Sequence, residues 1–297
     1  MMNTRTPTVS VIVRTTLANR DTHGTLSSIQ DQTFADREVI VVHDEGAQTA
    51  GAAWNRGING ARGQYLAFLE AGDLWTIDFL ERQLAFLDAH PWCDAVYCDA
   101  NLCGDSPLAG RTFSDVSPST GRPTLVALIE ERCAIPLSTV VARREAVIAA
   151  GMFDESLEHR QDYDLWLRLA HRGRLIAYQR HVLAECWLTP KDRLAVLQET
   201  LDALEHFGRS HVLAPDVRRT LRSRATALLD SLDVELARLC FLDGNYAAAR
   251  FHLAAPRGRS PRLILARLAL GAAPRVARWM FVAVRKPATW KLASVFR

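Results

Sequence analysis

The chain has 297 residues, 48% of them hydrophobic, so it is long enough to bury one or two complete cores. Its formal charge of +3 conceals an asymmetry. The residues from Gly244 onward include eleven lysines and arginines and no acidic residue, whereas the part before them carries a charge of −8. Such a basic tail favours an anionic partner, and we expect a membrane surface and no nucleic acid.

No targeting segment is predicted, because residues 1–7 are polar and the apolar run behind them spans only Val9 to Val13. The six cysteines form no paired short spacing, which indicates free thiols in a reducing compartment rather than a zinc module. We therefore expect a cytoplasmic protein that lies peripherally at the inner face of the cytoplasmic membrane.

Three apolar runs predict buried parallel strands, and polar residues stand where each strand ends. The runs are Val9–Thr15, Glu38–Gly46 and Gln64–Asp73. In open α/β sheets, ligands bind outside the carboxyl ends of the strands, so the charged residues at these ends should line one crevice. Those residues are Arg14, Asp44, Glu70 and Asp73.

Helical periodicity alternates with the strands and indicates a parallel sheet of the βαβ type. The predicted helices are 22–32, 50–61, 78–90 and 125–132, and later strands are expected at 137–142 and 175–178. After Pro190 the pattern is helical throughout, with one helical hairpin turning within 239–249. The predicted domains are thus an α/β domain, 1–190, and an α-helical region, 191–297, whose basic end forms an amphipathic helix lying on the membrane.

A series of short segments, in a specific order, carries a resemblance to a known family. The segments are Arg14-Thr15, Gln32-Thr33-Phe34, Val41–Gly46, Asn55–Ile58, Ala61–Leu69, Phe153–Leu157 and Gln161–Arg168. Across residues 8–190 the chain resembles family 2 glycosyltransferases, which have the GT-A fold. The resemblance implies an α/β sheet with helices on both faces, followed here by the α-helical region.

The resemblance also implies a function in polysaccharide biosynthesis. A hexosyl or related group would pass, with inversion, from a nucleotide-diphosphate sugar to a glycan, lipid-linked or other cell-surface acceptor. The expected donor is a UDP-sugar, with Asp44 recognising its base. On this resemblance the residues that bind the donor are Arg14, Thr15, Asp44, Asn55, Glu70 and Asp73.

The remaining implied roles concern the reaction itself. Asp162 would be the general base, because a carboxylate must take the proton of the acceptor hydroxyl as it attacks the anomeric carbon. Glu70 and Asp73 would hold Mg²⁺ or Mn²⁺, which neutralises the charge on the leaving diphosphate. Asp164, two residues further along the same helix, is the reserve candidate for the base.

The chain departs from the family pattern at three positions. Gly72 stands where the family has a metal-binding carboxylate, Trp54 where many relatives have an arginine, and Gln161 where an acidic residue usually precedes the base. These departures support an alternative hypothesis, a catalytically impaired nucleotide-sugar-binding or scaffold protein. In that hypothesis Trp54 fills part of the nucleotide space.

Each predicted site residue also has a structural interpretation. Asp44 could solvate a turn, and Glu70, Asp73 and Asp162 could serve as turn or helix-capping residues. A dinucleotide-binding oxidoreductase is disfavoured, because no glycine-rich turn follows the first strand. The glycines further on are interpreted as turn residues at a helix end; they are Gly57, Gly60 and Gly63.

Overall fold

The computed structural model describes residues 6–15, 22–44, 49–117, 119, 122–188 and 192–254. These residues form two compact units that divide at residue 190. The first unit is an α/β domain, and the described residues of the second form helices and no strand. The predicted basic amphipathic helix beyond Pro274 lies outside the described residues.

The first unit is built on a seven-stranded sheet within the described residues. The strands are β1 Val9–Thr15, β2 Arg37–His43, β3 Tyr65–Glu70, β4 Leu74–Trp75, β5 Ala95–Cys103, β6 Val140–Arg143 and β7 Ile176–Trp187. They lie in the order β2-β1-β3-β6-β5-β7-β4. The central strands β1 and β3 are almost completely buried, which explains why both read as continuous apolar runs.

The sheet is mixed, so the expectation of a parallel sheet is wrong in part. β1 is parallel to β2 and β3, and β5 is parallel to β7, as the pattern indicated. However, β6 is antiparallel to both β3 and β5, and β4 is antiparallel to β7. The long connection of residues 104–139 returns the chain to the sheet in the opposite direction, and strand periodicity contains no information about direction.

The helices of the first unit are α1 Thr22–Gln30, α2 Ala50–Gly60, α3 Phe79–Ala89, α4 Phe113–Val116, α5 Leu125–Ile129, α6 Arg144–Ala149 and α7 Gln161–His171. The first three lie within two residues of their predicted bounds. The predicted strand 137–142 begins instead as a 3₁₀ turn, Leu137–Thr139, before β6. The α/β fold class is confirmed.

Helix α2 packs closely on β1, and a glycine makes this possible. A Cβ atom at Gly57 would lie 2.4 Å from Cγ2 of Ile12, a fully buried residue of β1. Gly57 lies inside the helix and does not have a positive φ. The interpretation of Gly57 as a turn residue is therefore wrong: its function is close approach of helix and sheet.

The second unit contains α8 Arg193–Ser210, α9 Pro215–Leu242 and α10 Tyr246–Ala254. The predicted helical hairpin is confirmed, since α9 and α10 pack through a small apolar cluster and turn at Gly244, which has a φ of +77°. The cluster consists of Ala237, Phe241, Ala249 and Leu253, with Tyr246 packed against it. Among the residues described, no helix is long and apolar enough to cross a membrane.

Candidate functional site at the carboxyl ends of the strands

The carboxyl ends of β1, β2 and β3 bring three of the predicted site residues together. The guanidinium of Arg14 lies 3.5 Å from Oδ2 of Asp44 and 3.5 Å from Oε1 of Glu70. The strand register causes this, because Arg14 pairs with Val42 on one side and with Glu70 on the other. Residues 30 and 56 positions apart from Arg14 thus meet at one edge, as the strand pattern predicted.

Two buried polar atoms at this edge have no hydrogen-bond partner in the described structure. They are Nε of Arg14 and Oδ1 of Asp44. A buried polar group without a partner costs about 1–3 kcal/mol, so such atoms usually mark a position where a ligand or water completes the bonding. The edge of the sheet is therefore suited to a polar ligand.

Trp54 forms the floor beneath Arg14. Its ring is 2% exposed and packs against Phe68 and Phe153, with centroid separations of 5.6 and 6.1 Å. The Arg14 guanidinium carbon lies 5.7 Å from the Trp54 ring centroid, within the range of a cation–π contact. The expectation, made for the scaffold hypothesis, that Trp54 fills nucleotide space is wrong, because this side chain belongs to the core.

Thr15 is almost completely buried, and its hydroxyl lies 2.6 Å from Nδ1 of His43 on the neighbouring strand. The backbone continues the same contact, since the Asp44 N–H donates to the Thr15 carbonyl at 3.0 Å. Arg56 of α2 donates a further hydrogen bond to the His43 carbonyl. These bonds fix the direction in which β2 leaves the sheet and hence the position of Asp44.

The segment after β3 is a tight turn that requires glycine. The Asp73 N–H donates to the Glu70 carbonyl at 3.0 Å, and Gly72, the third residue of the turn, has a φ of +97°. This is the third-position geometry of a type II turn, which side chains tolerate poorly. The Gly72 N–H also donates to Oγ1 of Thr25 at 2.9 Å. Gly72, where the family has a carboxylate, is therefore explained by the positive φ of this turn.

Asp73 is buried, and both of its carboxylate oxygens accept hydrogen bonds from the protein. Oδ2 accepts from the Ser138 hydroxyl at 2.6 Å, and Oδ1 accepts from the Trp187 N–H at 2.8 Å. Ser138 Oγ in turn accepts from the Glu70 N–H at 3.1 Å. Asp73 thus joins the turn after β3 to the 3₁₀ turn and to the end of β7. Sequence reasoning missed Ser138, which carries no signal beyond its place beside an apolar strand.

The predicted metal ligands do not fit a site made from two carboxylates. Asp73 is 7% exposed and fully engaged, Gly72 offers no side chain, and Glu70 faces the positive charge of Arg14. Mg²⁺ and Mn²⁺ require oxygen ligands that can turn toward the ion. Within the part of the chain that is described, no group of three histidine, cysteine or acidic residues could hold a metal ion.

Asp162 lies in the first turn of α7 and is half-buried. Its Oδ1 accepts from the Tyr163 N–H at 2.8 Å. The residue before α7, Arg160, has a φ of +64°, so the chain enters the helix through a sharp bend. A Cβ at Gly51 would lie 3.4 Å from Cγ of Gln161, which places the start of α7 against the start of α2, just after β2.

Asn55 of α2 uses its whole amide group within the protein. Its Nδ2 donates to the Phe153 carbonyl at 2.9 Å and to Oε1 of Glu155 at 2.8 Å, while its Oδ1 accepts from the Phe153 N–H at 3.0 Å. Asn55 therefore positions the segment that leads toward Asp162. A direct contact of Asn55 with a sugar nucleotide stays a prediction.

Comparison with known proteins finds similar sequences among the glycosyltransferases. Residues 18–111 match the family model described as glycosyl transferase family 2. The chain is 25% identical, over 192 residues, to the Escherichia coli UDP-Glc:alpha-D-GlcNAc-diphosphoundecaprenol beta-1,3-glucosyltransferase WfgD. The match covers 57% of this chain and 72% of that relative.

Solved glycosyltransferase structures share the fold. Staphylococcus aureus TarS 1-349 in complex with UDP-GlcNAc aligns with a TM-score of 0.57 at 15% identity, over 96% of this chain and 90% of that one. The mannosyltransferase PcManGT of Pyrobaculum calidifontis, in complex with GDP-Man and Mn²⁺, gives 0.56 at 19% identity, over 98% and 86%. At these identities the similarity establishes the GT-A fold and nothing finer.

Proposed function

We propose that the chain, which matches the glycosyl transferase family 2 model over residues 18–111, transfers a hexosyl or related group from a nucleotide-diphosphate sugar to a glycan or lipid-linked acceptor. A UDP-sugar is the proposed donor. WfgD is named for UDP-Glc and TarS binds UDP-GlcNAc, whereas PcManGT binds GDP-Man. The acceptor class follows the diphosphoundecaprenol in the name of WfgD, and the product would be a precursor of a cell-surface polysaccharide.

The observation that carries the proposal is the pair of unpartnered buried atoms at the carboxyl ends of β1 and β2. Oδ1 of Asp44 can accept from an N–H group of the nucleotide base, and Nε of Arg14 can donate to an oxygen of the same nucleotide. Thr15 and Asp44 are held in place by the bonds between β1 and β2. A nucleotide that binds here would satisfy both atoms at once.

We propose Asp162 as the general base. One of its carboxylate oxygens takes the proton of the acceptor hydroxyl, and the oxygen of that hydroxyl forms a bond to the anomeric carbon. The bond from the same carbon to the diphosphate breaks, the nucleotide diphosphate leaves with the bonding electrons, and the configuration inverts. The position of α7 against the start of α2 supports this role, because α2 directly follows the donor-binding end of β2.

We further propose that the protein works at the inner, cytoplasmic face of a membrane. In the helical unit, a groove of about 400 Å³ is lined by three arginines and two apolar residues: Leu213, Pro215, Arg218, Arg219 and Arg222. Val212 beside it is 89% exposed. Exposed apolar side chains next to arginines suit an interface rich in lipid phosphates, and the acid-free tail adds charge of the same sign.

The proposal is tested first by donor binding. Thermal unfolding of the full chain should shift upward with one nucleotide sugar from a panel, because a ligand that binds only the folded state stabilises it. Transfer from that donor is then measured with lipid-linked and glycan acceptors. A donor that binds tightly but is never transferred would favour the scaffold hypothesis.

The role of Asp162 is tested by Asp162→Asn. Donor binding should be unchanged, while transfer falls by about a hundredfold or more, because general acid–base catalysis contributes roughly 10²–10⁴. Glu158→Gln is the matched control, since it makes the same change from carboxylate to amide at an exposed residue before the helix. Equal transfer by Asp162→Asn and the control would remove Asp162 from the mechanism.

A further inference from the structure

The backbone of the turn that follows β3 disfavours a side chain at position 72, where the family has a metal-binding carboxylate. Gly72 has a φ of +97° and its N–H is held by Thr25, while Asp73 and Glu70 close the turn through their backbones. An aspartate at position 72 would adopt this φ only with strain. A carboxylate at this position is therefore disfavoured by the surrounding structure.

Asp73, the next acidic residue, is already held by the protein through both carboxylate oxygens. Ser138 and the Trp187 backbone each hold one of its oxygens at 2.6–2.8 Å, the lengths of strong bonds to an ionised acceptor. Rotating the carboxylate toward a metal ion would leave the buried Ser138 hydroxyl and the Trp187 N–H without their acceptor. Each such loss costs about 1–3 kcal/mol.

The same edge carries a fixed positive charge. The Arg14 side chain is 15% exposed, lies over the Trp54 ring, and is flanked by Asp44 and Glu70 at 3.5 Å each. Both separations exceed the roughly 2.7–2.9 Å of a strong charge-assisted bond, so neither carboxylate saturates the guanidinium. Its Nε has no hydrogen-bond partner among the described residues. The planar guanidinium group of arginine can donate two parallel hydrogen bonds to a phosphate group. Neither carboxylate, at 3.5 Å, uses this capacity.

We infer that this protein binds its nucleotide-diphosphate donor without a divalent cation, and that Arg14 supplies the positive charge that faces the donor. Phosphate or ribose oxygens of the donor bind the Arg14 guanidinium and displace Glu70, which is held at 3.5 Å and is 43% exposed. The inference rests on the proposed function, because it concerns the same donor. It differs from what the PcManGT complex, which contains Mn²⁺ with GDP-Man, would lead one to expect.

The experiment is calorimetric titration of the full chain with UDP and with GDP, in EDTA and again in Mn²⁺. For the nucleotide that binds, the dissociation constant in EDTA should lie within about threefold of the value in Mn²⁺. Arg14→Met should weaken binding about ten- to a hundredfold, as expected for a lost bond to a charged group. Arg14→Lys should recover part of the loss, because it restores the charge without the planar guanidinium group.

Arg82→Met is the matched control, because this exposed arginine of α3 forms only a local ion pair with Asp78. A second variant keeps the test decisive if Arg14→Met is unstable. Asp73→Asn should lower the melting temperature equally with and without Mn²⁺, since its oxygens bond to the protein. If Mn²⁺ raises the melting temperature of the unmodified protein but not that of Asp73→Asn, then Asp73 binds the ion and the inference is overturned.

The outcomes separate this inference from the function on which it rests. Binding that requires Mn²⁺ overturns the inference and leaves a metal-dependent glycosyltransferase. Binding that is unchanged in Arg14→Met overturns it as well, because the charge that faces the donor would then come from another group. Absence of binding by either nucleotide in every condition overturns the inference and counts against the proposed function as well. Equal binding in EDTA and Mn²⁺ together with sugar transfer supports both.

Discussion

The side chain that does most to hold α7 in place is Arg168. Its Nε bonds Oδ2 of Asp164 at 2.7 Å, and its other two nitrogens donate to the Ala150 and Met152 carbonyls at 2.6 Å each. Asp164 is 1% exposed. The reserve assignment of Asp164 as the base therefore conflicts with its burial: it holds Arg168, whose other two nitrogens bind the segment after α6 to the helix that carries Asp162.

We expect Arg168→Leu to destabilise the protein by about 3–5 kcal/mol, because it leaves the Asp164 carboxylate buried without its partner. The matched control is Arg82→Leu, which breaks an ion pair of the same i,i+4 spacing on the surface and should cost less than about 1 kcal/mol. Urea unfolding of both variants measures the difference. If the two variants lose similar free energies of unfolding, then burial of the ion pair does not determine how much its loss destabilises the protein.

At the level of residues, sequence reasoning located positions better than roles. Arg14, Asp44 and Glu70 were expected at one edge, and the register of three strands brings them there. The hydrogen bonds that Asp73 and Asn55 accept or donate within the protein could not be predicted, because their partners are distant in sequence. The partners of Asp73 are 65 and 114 residues away, and those of Asn55 are about 100 residues away. The Asp164–Arg168 spacing was visible, but its burial was not.

Among the elements, prediction succeeded where amphipathic periodicity was strong and failed where strands were short or irregular. Helices α1, α2 and α3 end within two residues of the expected positions. β7 was expected only as 175–178, yet it runs over Ile176–Trp187. Its pairing with β5 shifts register twice, which disrupts the alternation that marks a strand in sequence. The two residues of β4 are too few for any pattern.

The packing of α2 on β1 gives a prediction for this pair of elements. Gly57→Ala should destabilise the protein by about 1–3 kcal/mol, because the added methyl group would overlap the branched Ile12 side chain in a full core. Gly60→Ala, in the last residue of the same helix, has 3.8 Å of clearance to Ile40 and should be neutral or slightly stabilising. Thermal unfolding of the two variants provides the measurement.

The whole molecule separates its charges along the sequence. The chain up to residue 243 is acidic overall, while the part beyond it is strongly basic. This division could be read from composition alone, and the helical character of the second unit was predicted from the residue pattern after Pro190. The arginine-lined groove at the start of α9 could not, because it depends on which helix face remains exposed.

We expect the full chain to bind vesicles that contain phosphatidylglycerol and to be released as salt rises, since exposed charges are screened within about 10 Å at 0.1 M salt. Deletion of residues 257–297 should abolish binding. Replacing Arg218, Arg219 and Arg222 by glutamine should weaken it about a hundredfold, at roughly 1 kcal/mol per arginine near the surface. Cosedimentation with vesicles measures the bound fraction.

The control for this experiment removes the same charge elsewhere. Arg62, Arg82 and Arg132 are exposed arginines of the first unit, and their replacement by glutamine should leave vesicle binding nearly unchanged. Vesicles of phosphatidylcholine alone should bind none of the proteins. Retained binding after deletion of the tail would contradict the membrane role assigned to it.

During synthesis, the hydrogen bond between Asp73 and Trp187 can form only after residue 187 has been added to the chain. The two residues are 114 positions apart, and β4 joins the sheet only through β7 among the described strands. At about 5–20 residues per second, a ribosome needs roughly 6–23 s to add that segment. Throughout that interval the Asp73 carboxylate lacks its Trp187 donor and β4 has no neighbouring strand. A nascent chain interrupted before residue 187 therefore contains Arg14, Asp44, Glu70 and Asp162, but it lacks the Trp187 N–H that holds Asp73 at the end of the turn after β3.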